Sequence, residues 1–261
     1  MGASRRRGRF AVPDEPDRRG LAAYIGEFVG TFALVFFITA VVSLYVTAPT
    51  PQQPAQPFID FSVIGLVHVF ALFFLIQTLG AISGAHFNPA VTVALTAIRA
   101  IRPPDAAIYI VMQLLGAVAG AFLTKALLLD EGNAVNYGAT LVSDRLQGEA
   151  FPGMIVELIG TFFLVWAIVG VAVNPTAQKD WSGLVIAGTL GLVVMVLAPL
   201  TGAGFNPARS LGPALASGEY GNFLLTYVLG PLVGGVLAAL TYTALFFQRG
   251  KKVSSGGEPV G

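Results

Sequence analysis

Six long apolar runs separated by polar breaks set the pattern of this chain, at about residues 21–46, 60–81, 105–128, 152–173, 181–200 and 220–247. A helix needs roughly 20 apolar residues to cross a bilayer's hydrocarbon core, so each run is predicted to be one membrane span. Two further stretches are too short to cross, Val91–Arg99 and Arg209–Ala216. Ten residues make only about 15 Å of helix, near half a membrane. Each short stretch follows the same opening. The first is Ser83-Gly84-Ala85-His86-Phe87-Asn88-Pro89-Ala90, and the second is Thr201-Gly202-Ala203-Gly204-Phe205-Asn206-Pro207-Ala208. Asparagine caps free backbone N–H groups, and proline at the first helical position gives up an N–H that has no partner there. Both copies therefore read as helix starts.

The duplication extends further. Glu27, Gly30, Thr31 and Phe32 in the first span match Glu157, Gly160, Thr161 and Phe162 in the fourth, and Gly116 and Gly120 match Gly230 and Gly234. An odd number of spans per repeat turns the second half upside down relative to the first, an inverted repeat. The two short helices then enter from opposite sides and aim their N-termini at one another near the midplane. Non-helical backbone is tolerated at that depth only where protein buries it or a water-filled cavity adjoins it. The expected fold is an all-α membrane protein with six transmembrane helices and two re-entrant half-helices in an inverted three-plus-three repeat. One membrane domain is expected at 21–248, with repeat one at about 21–129 and repeat two at about 151–248, between tails at 1–20 and 249–261. Small residues at helical spacing, Gly26/Gly30 and Gly116/Gly120, are expected to admit close span-to-span contact.

Composition agrees. The chain is 55% hydrophobic and 11% charged, against about 25% charged in soluble domains. The absence of cysteine excludes disulfides and thiol chemistry, and two histidines leave little for a metal site. No nucleophile–base pair or phosphate-cradling loop is visible, so neither an enzyme nor a cofactor or metal site is expected, and a net charge of +1 gives no reason to expect nucleic acid. Twelve of the fifteen Lys and Arg fall in the N-terminal tail (Arg5, Arg6, Arg7, Arg9, Arg18, Arg19), the Arg99/Arg102 connector, the Lys179 turn and the C-terminal tail (Arg249, Lys251, Lys252). In a six-span topology these lie on one side, which the positive-inside rule makes cytoplasmic. Both termini are then inside, and the Pro/Gln-rich loop at 48–57 and the connector at 130–149 face out. The apolar run after the basic tail is too long for a signal peptide, and the absence of a eukaryotic targeting signal fits a prokaryotic cell membrane.

Two Asn-Pro-Ala triplets, Asn88-Pro89-Ala90 and Asn206-Pro207-Ala208, with flanking Ser-Gly-Ala-His and Ala-Arg-Ser in a six-span inverted repeat, resemble the aquaporin (major intrinsic protein) family over about residues 21–248. The resemblance implies a homotetramer in the lipid bilayer with one pore per subunit, passing water and excluding ions and protons. It implies a selectivity filter at His68, Val194, Ala203 and Arg209, the last supported by the cost of a charged side chain in an apolar segment. Glu27 and Glu157 would then accept hydrogen bonds from re-entrant backbone, with Gln113 in a similar role, and His86 would line a vestibule or hold its turn. His68 with Val194 departs from the usual water-selective set and is similar to the tonoplast intrinsic proteins. A broader pore for ammonia, hydrogen peroxide, urea or glycerol is the alternative, and a secondary transporter, which also uses inverted repeats, a more distant one.

Overall fold

The computed structural model describes residues 18–46 and 57–247. Arg5, Arg6, Arg7 and Arg9, most of the Pro/Gln-rich loop, and Arg249, Lys251 and Lys252 lie outside the described residues. The described chain is helical throughout. Spans are formed by α1 (Leu21–Tyr45), α2 (Pro57–Ser83), α4 (Pro103–Leu127), α6 (Ala150–Ile168) with a π turn (Val169–Val173), α7 (Ser182–Thr201), and α9 (Gly230–Phe246) preceded by a π turn (Leu224–Leu229). The two half-helices are α3 (Pro89–Ala97) and α8 (Pro207–Ser217), and a short α5 (Leu129–Ala134) follows α4. Six helices are long and apolar enough to cross a membrane, with mean hydropathy of 1.9 to 2.3 in their most apolar windows. The expected fold is the one observed.

Three local readings change. The third span begins earlier than residue 105: Pro103 and Pro104 open α4, where a missing N–H costs nothing. The sixth span begins later than residue 220: Gly218 and Asn222 have positive φ, and Asn222 Nδ2 donates to the Gly148 carbonyl at 2.9 Å, so 218–222 is a turn. The 130–149 connector, read as a polar loop, carries α5 and two tight turns, Asn136–Gly138 and Asp144–Leu146.

Glycines set how closely the spans pack. A Cβ on Gly116 or Gly120 would stand 2.4 Å from the carbonyl oxygen of Phe28 or Phe32 on α1, and one on Gly230 or Gly234 would stand 2.8 or 2.2 Å from those of Met154 or Leu158 on α6. α1 against α4 and α6 against α9 thus touch backbone to backbone, as small-residue seams allow. The register differs by one turn from the sequence match: Gly116 faces Phe28, and Gly234 faces Leu158, the counterpart of Phe28 in the second repeat, so Gly116 corresponds to Gly234 rather than to Gly230. Gly26 and Gly30 divide the part expected of them. Gly26 faces Ile82 and Ser83 at the end of α2, a span-to-span contact, whereas Gly30 faces the ring of Phe87 and admits the first re-entrant turn.

Candidate functional site

The two half-helix starts meet. Asn88 Oδ1 accepts from Ala90 N–H at 2.8 Å, and Asn206 Oδ1 accepts from Ala208 N–H at 3.0 Å and Arg209 N–H at 3.3 Å. Pro89 and Pro207 occupy the first helical positions. Each asparagine also reaches across the repeat: Asn88 Nδ2 donates to the Phe205 carbonyl at 2.8 Å, and Asn206 Nδ2 donates to the Phe87 carbonyl at 2.9 Å. One N–H of each amide is therefore committed to the opposite turn. This cross-pairing is not visible in sequence, because it joins residues 117 and 119 positions apart.

Two buried carboxylates hold the turns. Glu27 accepts from Ser83 Oγ (2.7 Å), His86 N–H (3.0 Å), Phe87 N–H (2.7 Å) and Gln113 Nε2 (2.7 Å). Glu157 accepts from Thr201 Oγ1 (2.7 Å), Gly204 N–H (2.9 Å) and Phe205 N–H (2.5 Å). Tyr109 and Tyr227 hydroxyls donate to the carbonyls of Ser83 and Thr201 at 2.6 and 2.8 Å. So braced, the turns keep left-handed backbone at Gly84, Ala85 and Phe87 and again at Gly202, Ala203 and Phe205, with φ from 47 to 88°. Such backbone persists at non-glycine residues only where its surroundings over-determine it.

Between the turns runs a narrow cavity of about 30 Å³, more than the roughly 10–15 Å³ that one water needs. Its lining follows the repeat. Leu34 pairs with Leu164, Ile38 with Ile168, Leu72 with Leu190, Phe87 with Phe205, and Asn88 with Asn206. The pairing breaks where polar residues stand: His68 against Ile186, Arg209 against Val91, and His86 against Gly204. The wall is hydrocarbon, and the polar groups sit at the waist and at the two ends.

Arg209 is 3% exposed, and its Nη1 donates to the Gly138 carbonyl at 3.0 Å. That carbonyl is presented by Asn136, Tyr137 and Gly138, all with positive φ. This partner from the connector was missed in sequence. The available signal was an Asn-x-Gly turn pattern, since these residues tolerate φ above zero. His68 Nδ1 lies 2.8 Å from the Ile64 carbonyl. A carbonyl can only accept, so Nδ1 carries the proton and Nε2 is the nitrogen left to other partners. His86 Nδ1 meets Thr92 Oγ1 at 3.1 Å, and its ring packs edge-on against Tyr109 at 5.2 Å. Gln113 Nε2 also donates to Thr92 Oγ1 at 2.9 Å.

His68 and Arg209 thus border one cavity. Val194 and Ala203 are each 1% exposed and do not border it. Val194 continues the Ile186–Leu190 stripe of α7 by one turn. No group of three or more His, Asp or Glu able to hold a metal occurs among the described residues.

Comparison with known proteins places this geometry. The Major intrinsic protein family profile matches residues 17–242. The aquaporin AqpM of Methanothermobacter marburgensis is 36% identical over 242 residues, covering 85% of this chain and 96% of that relative. The glycerol uptake facilitator protein-like 6 of Lactiplantibacillus plantarum is 37% identical over 219 residues, covering 83% and 94%. Among solved structures, the aquaglyceroporin from Plasmodium falciparum superposes with a TM-score of 0.72 at 25% identity, covering 86% of this chain and 96% of that one. With fold, paired asparagine turns and relatives agreeing over most of its length, the chain belongs to the major intrinsic protein family of membrane channels.

Proposed function

We propose that this chain forms a passive water pore that excludes protons and ions. One observation carries the reading: Asn88 and Asn206 border the cavity side by side, each with one amide N–H committed across the repeat and one left. A water at the waist accepts from both free N–H groups through its oxygen. Its hydrogens then point away along the file, and no hydrogen-bond chain passes through for a proton to follow. The positive ends of two half-helices face this point, which adds a barrier to cations. Glu27 and Glu157 lie behind the turns, where they hold the re-entrant N–H groups. Arg209 and His68 narrow one end, where Arg209 offers donors to a permeant and repels cations. Val194 and Ala203 lie outside the cavity lining and join this filter in the proposal on the family resemblance alone.

The second reading is a pore that also admits ammonia, hydrogen peroxide, urea or glycerol. It is favoured by an imidazole on α2 and an aliphatic Val194 on α7, and by relatives named both aquaporin and glycerol uptake facilitator. Stopped-flow light scattering of proteoliposomes challenged with sucrose, glycerol, urea or methylammonium separates the two. Osmotic water flux linear in the gradient with no solute entry supports the first reading. Entry of a neutral solute moves the assignment to the second, and saturable, proton-dependent flux overturns both.

The same proposal assigns the channel unit to about 21–248, with both termini cytoplasmic, in a homotetramer of a prokaryotic cell membrane. The orientation rests on the clustering of Lys and Arg and the assembly on the family.

A further inference from the structure

A second cavity, of about 320 Å³, lies on the other side of the half-helix starts from the pore. Its lining is wholly apolar. It too follows the repeat: Pro89 pairs with Pro207, Ile110 with Val228, and Leu114 with Leu232. A cavity lined by matching residues of both halves straddles the axis that relates them. In an inverted repeat that axis lies in the membrane plane, so the cavity sits at the bilayer midplane. Ile110, Leu114, Val228 and Leu232 are only half-buried, so among the described residues the cavity opens outward between α4 and α9. The surface beside it is apolar, with Val111 and Leu115 on α4 each 54% exposed. One feature breaks the symmetry. Phe223 also borders the cavity, five residues before Val228, and the π turn Leu224–Leu229 brings the two onto one face.

We infer that this crevice is a binding site for the end of a lipid acyl chain. Three observations point to that occupant. The depth is where chain ends lie, and nothing polar is available to the site from the surrounding medium. The lining offers no hydrogen-bond partner, and a water needs two to four. The volume is about twice that of an apolar cavity that stays dry and takes up benzene, and an empty space of that size forfeits the dispersion attraction of its walls. The floor is Pro89 and Pro207, the residues directly after Asn88 and Asn206. A chain end seated there props the backs of both half-helix starts, so occupancy supports the asparagine pair from outside the pore.

The test is anomalous diffraction from crystals of the full chain grown with phosphatidylcholine brominated near the chain terminus. Bromine density inside the crevice of the wild type, abolished when Val93→Phe fills the space, is the expected result. Leu114→Phe serves the same purpose if Val93→Phe does not fold. Bromine confined to the outer surface, or a crevice filled by side chains of a neighbouring subunit, overturns the inference. A thermal-shift series gives a second readout: delipidated wild type melts lower and regains stability on adding lipid, and the filled variant responds less. An equal lipid response in both proteins also counts against the site.

Discussion

The ring of Phe87 stands where a side chain on Gly30 would be: a Cβ there would lie 2.0 Å from Phe87 Cε1. The second half repeats the arrangement, with Gly160 and Phe205 at 2.1 Å. Each re-entrant turn is thus keyed into the first helix of its own repeat by a ring on a glycine. Gly30→Ala and Gly160→Ala are expected to destabilise by about 1–3 kcal/mol each through overpacking, read as a lower melting temperature in detergent. Phe87→Leu in the Gly30→Ala background should recover part of the loss. Gly188→Ala is the control. That position has open space within 4 Å and lies inside α7, where replacing glycine favours the helix by about 0.5–1 kcal/mol.

Removing the charge from the narrow end should relax selectivity. Arg209→Val is expected to keep water flux within a few-fold of wild type while raising urea and glycerol permeability and admitting a measurable cation or proton leak. The measurement is stopped-flow flux with a pH-sensitive dye inside the vesicles. An unchanged solute profile would place the filter away from Arg209.

The hold on Arg209 is separately testable. Gly138 has φ of 70°, and a Cβ on it would meet Val42 at 3.1 Å, so Gly138→Ala should shift the carbonyl that receives Arg209 Nη1. The expected phenotype has the direction of Arg209→Val at smaller amplitude, with water flux retained. A variant that loses water flux and stability together would mean that the turn, not its carbonyl, is what matters.

Mercury offers a positional test. The chain has no cysteine, so micromolar mercuric chloride should leave water flux unchanged. His68→Cys, which puts a thiol on the cavity wall, should introduce block that thiol reductants reverse. Val196→Cys, on an exposed position of the same protein (61%), should not.

Each turn carboxylate faces only donors, so replacing half of it with an amide sets N–H against N–H. Glu157→Gln should leave at least one of Thr201 Oγ1, Gly204 N–H and Phe205 N–H without an acceptor, at about 1–3 kcal/mol for each buried group left unsatisfied. The readout is melting temperature together with yield of folded protein. Glu27→Gln should behave similarly, and there the Gln113 amide, which donates to the same carboxylate, competes for the one remaining acceptor oxygen. A melting curve unchanged in both variants would show that the turns are held by their tyrosines instead.

Much of this molecule was legible because its signals are local. Asn-Pro at 88–89 and 206–207 marks a helix start whatever surrounds it, and Gly116, Gly120, Gly230 and Gly234 lie at the spacing of a packing seam. The inverted repeat followed from counting spans. What escaped depends on where distant residues land. Gly30 stands one turn from Gly26, the spacing of the seam glycines, yet it receives the Phe87 ring of a turn while Gly26 meets the end of α2, because α1 lies against both that span and the first re-entrant segment. The Arg209–Gly138 hydrogen bond joins a half-helix to a connector 71 residues away, and no periodicity encodes it. The π turn before α9 precedes Pro231, whose ring clashes with the carbonyl four residues back in a regular helix; the same proline stands close, in the second repeat, to the place of Gln113 in the first.

The exchange between Asn88 and the Phe205 carbonyl has a consequence for how the protein is made. The partners are 117 residues apart, so translation at about 5–20 residues per second separates their synthesis by roughly 6–23 s. During that interval the nascent first half holds an asparagine amide and the Phe87 carbonyl whose eventual mates do not yet exist. Neither group can rest unpaired in hydrocarbon, where each costs several kcal/mol. The first half-helix therefore has no settled place in the bilayer when its own three spans have been inserted. Biogenesis must keep it in a hydrated or chaperoned setting until the last third of the chain arrives, and the two half-helices then seat together in one step.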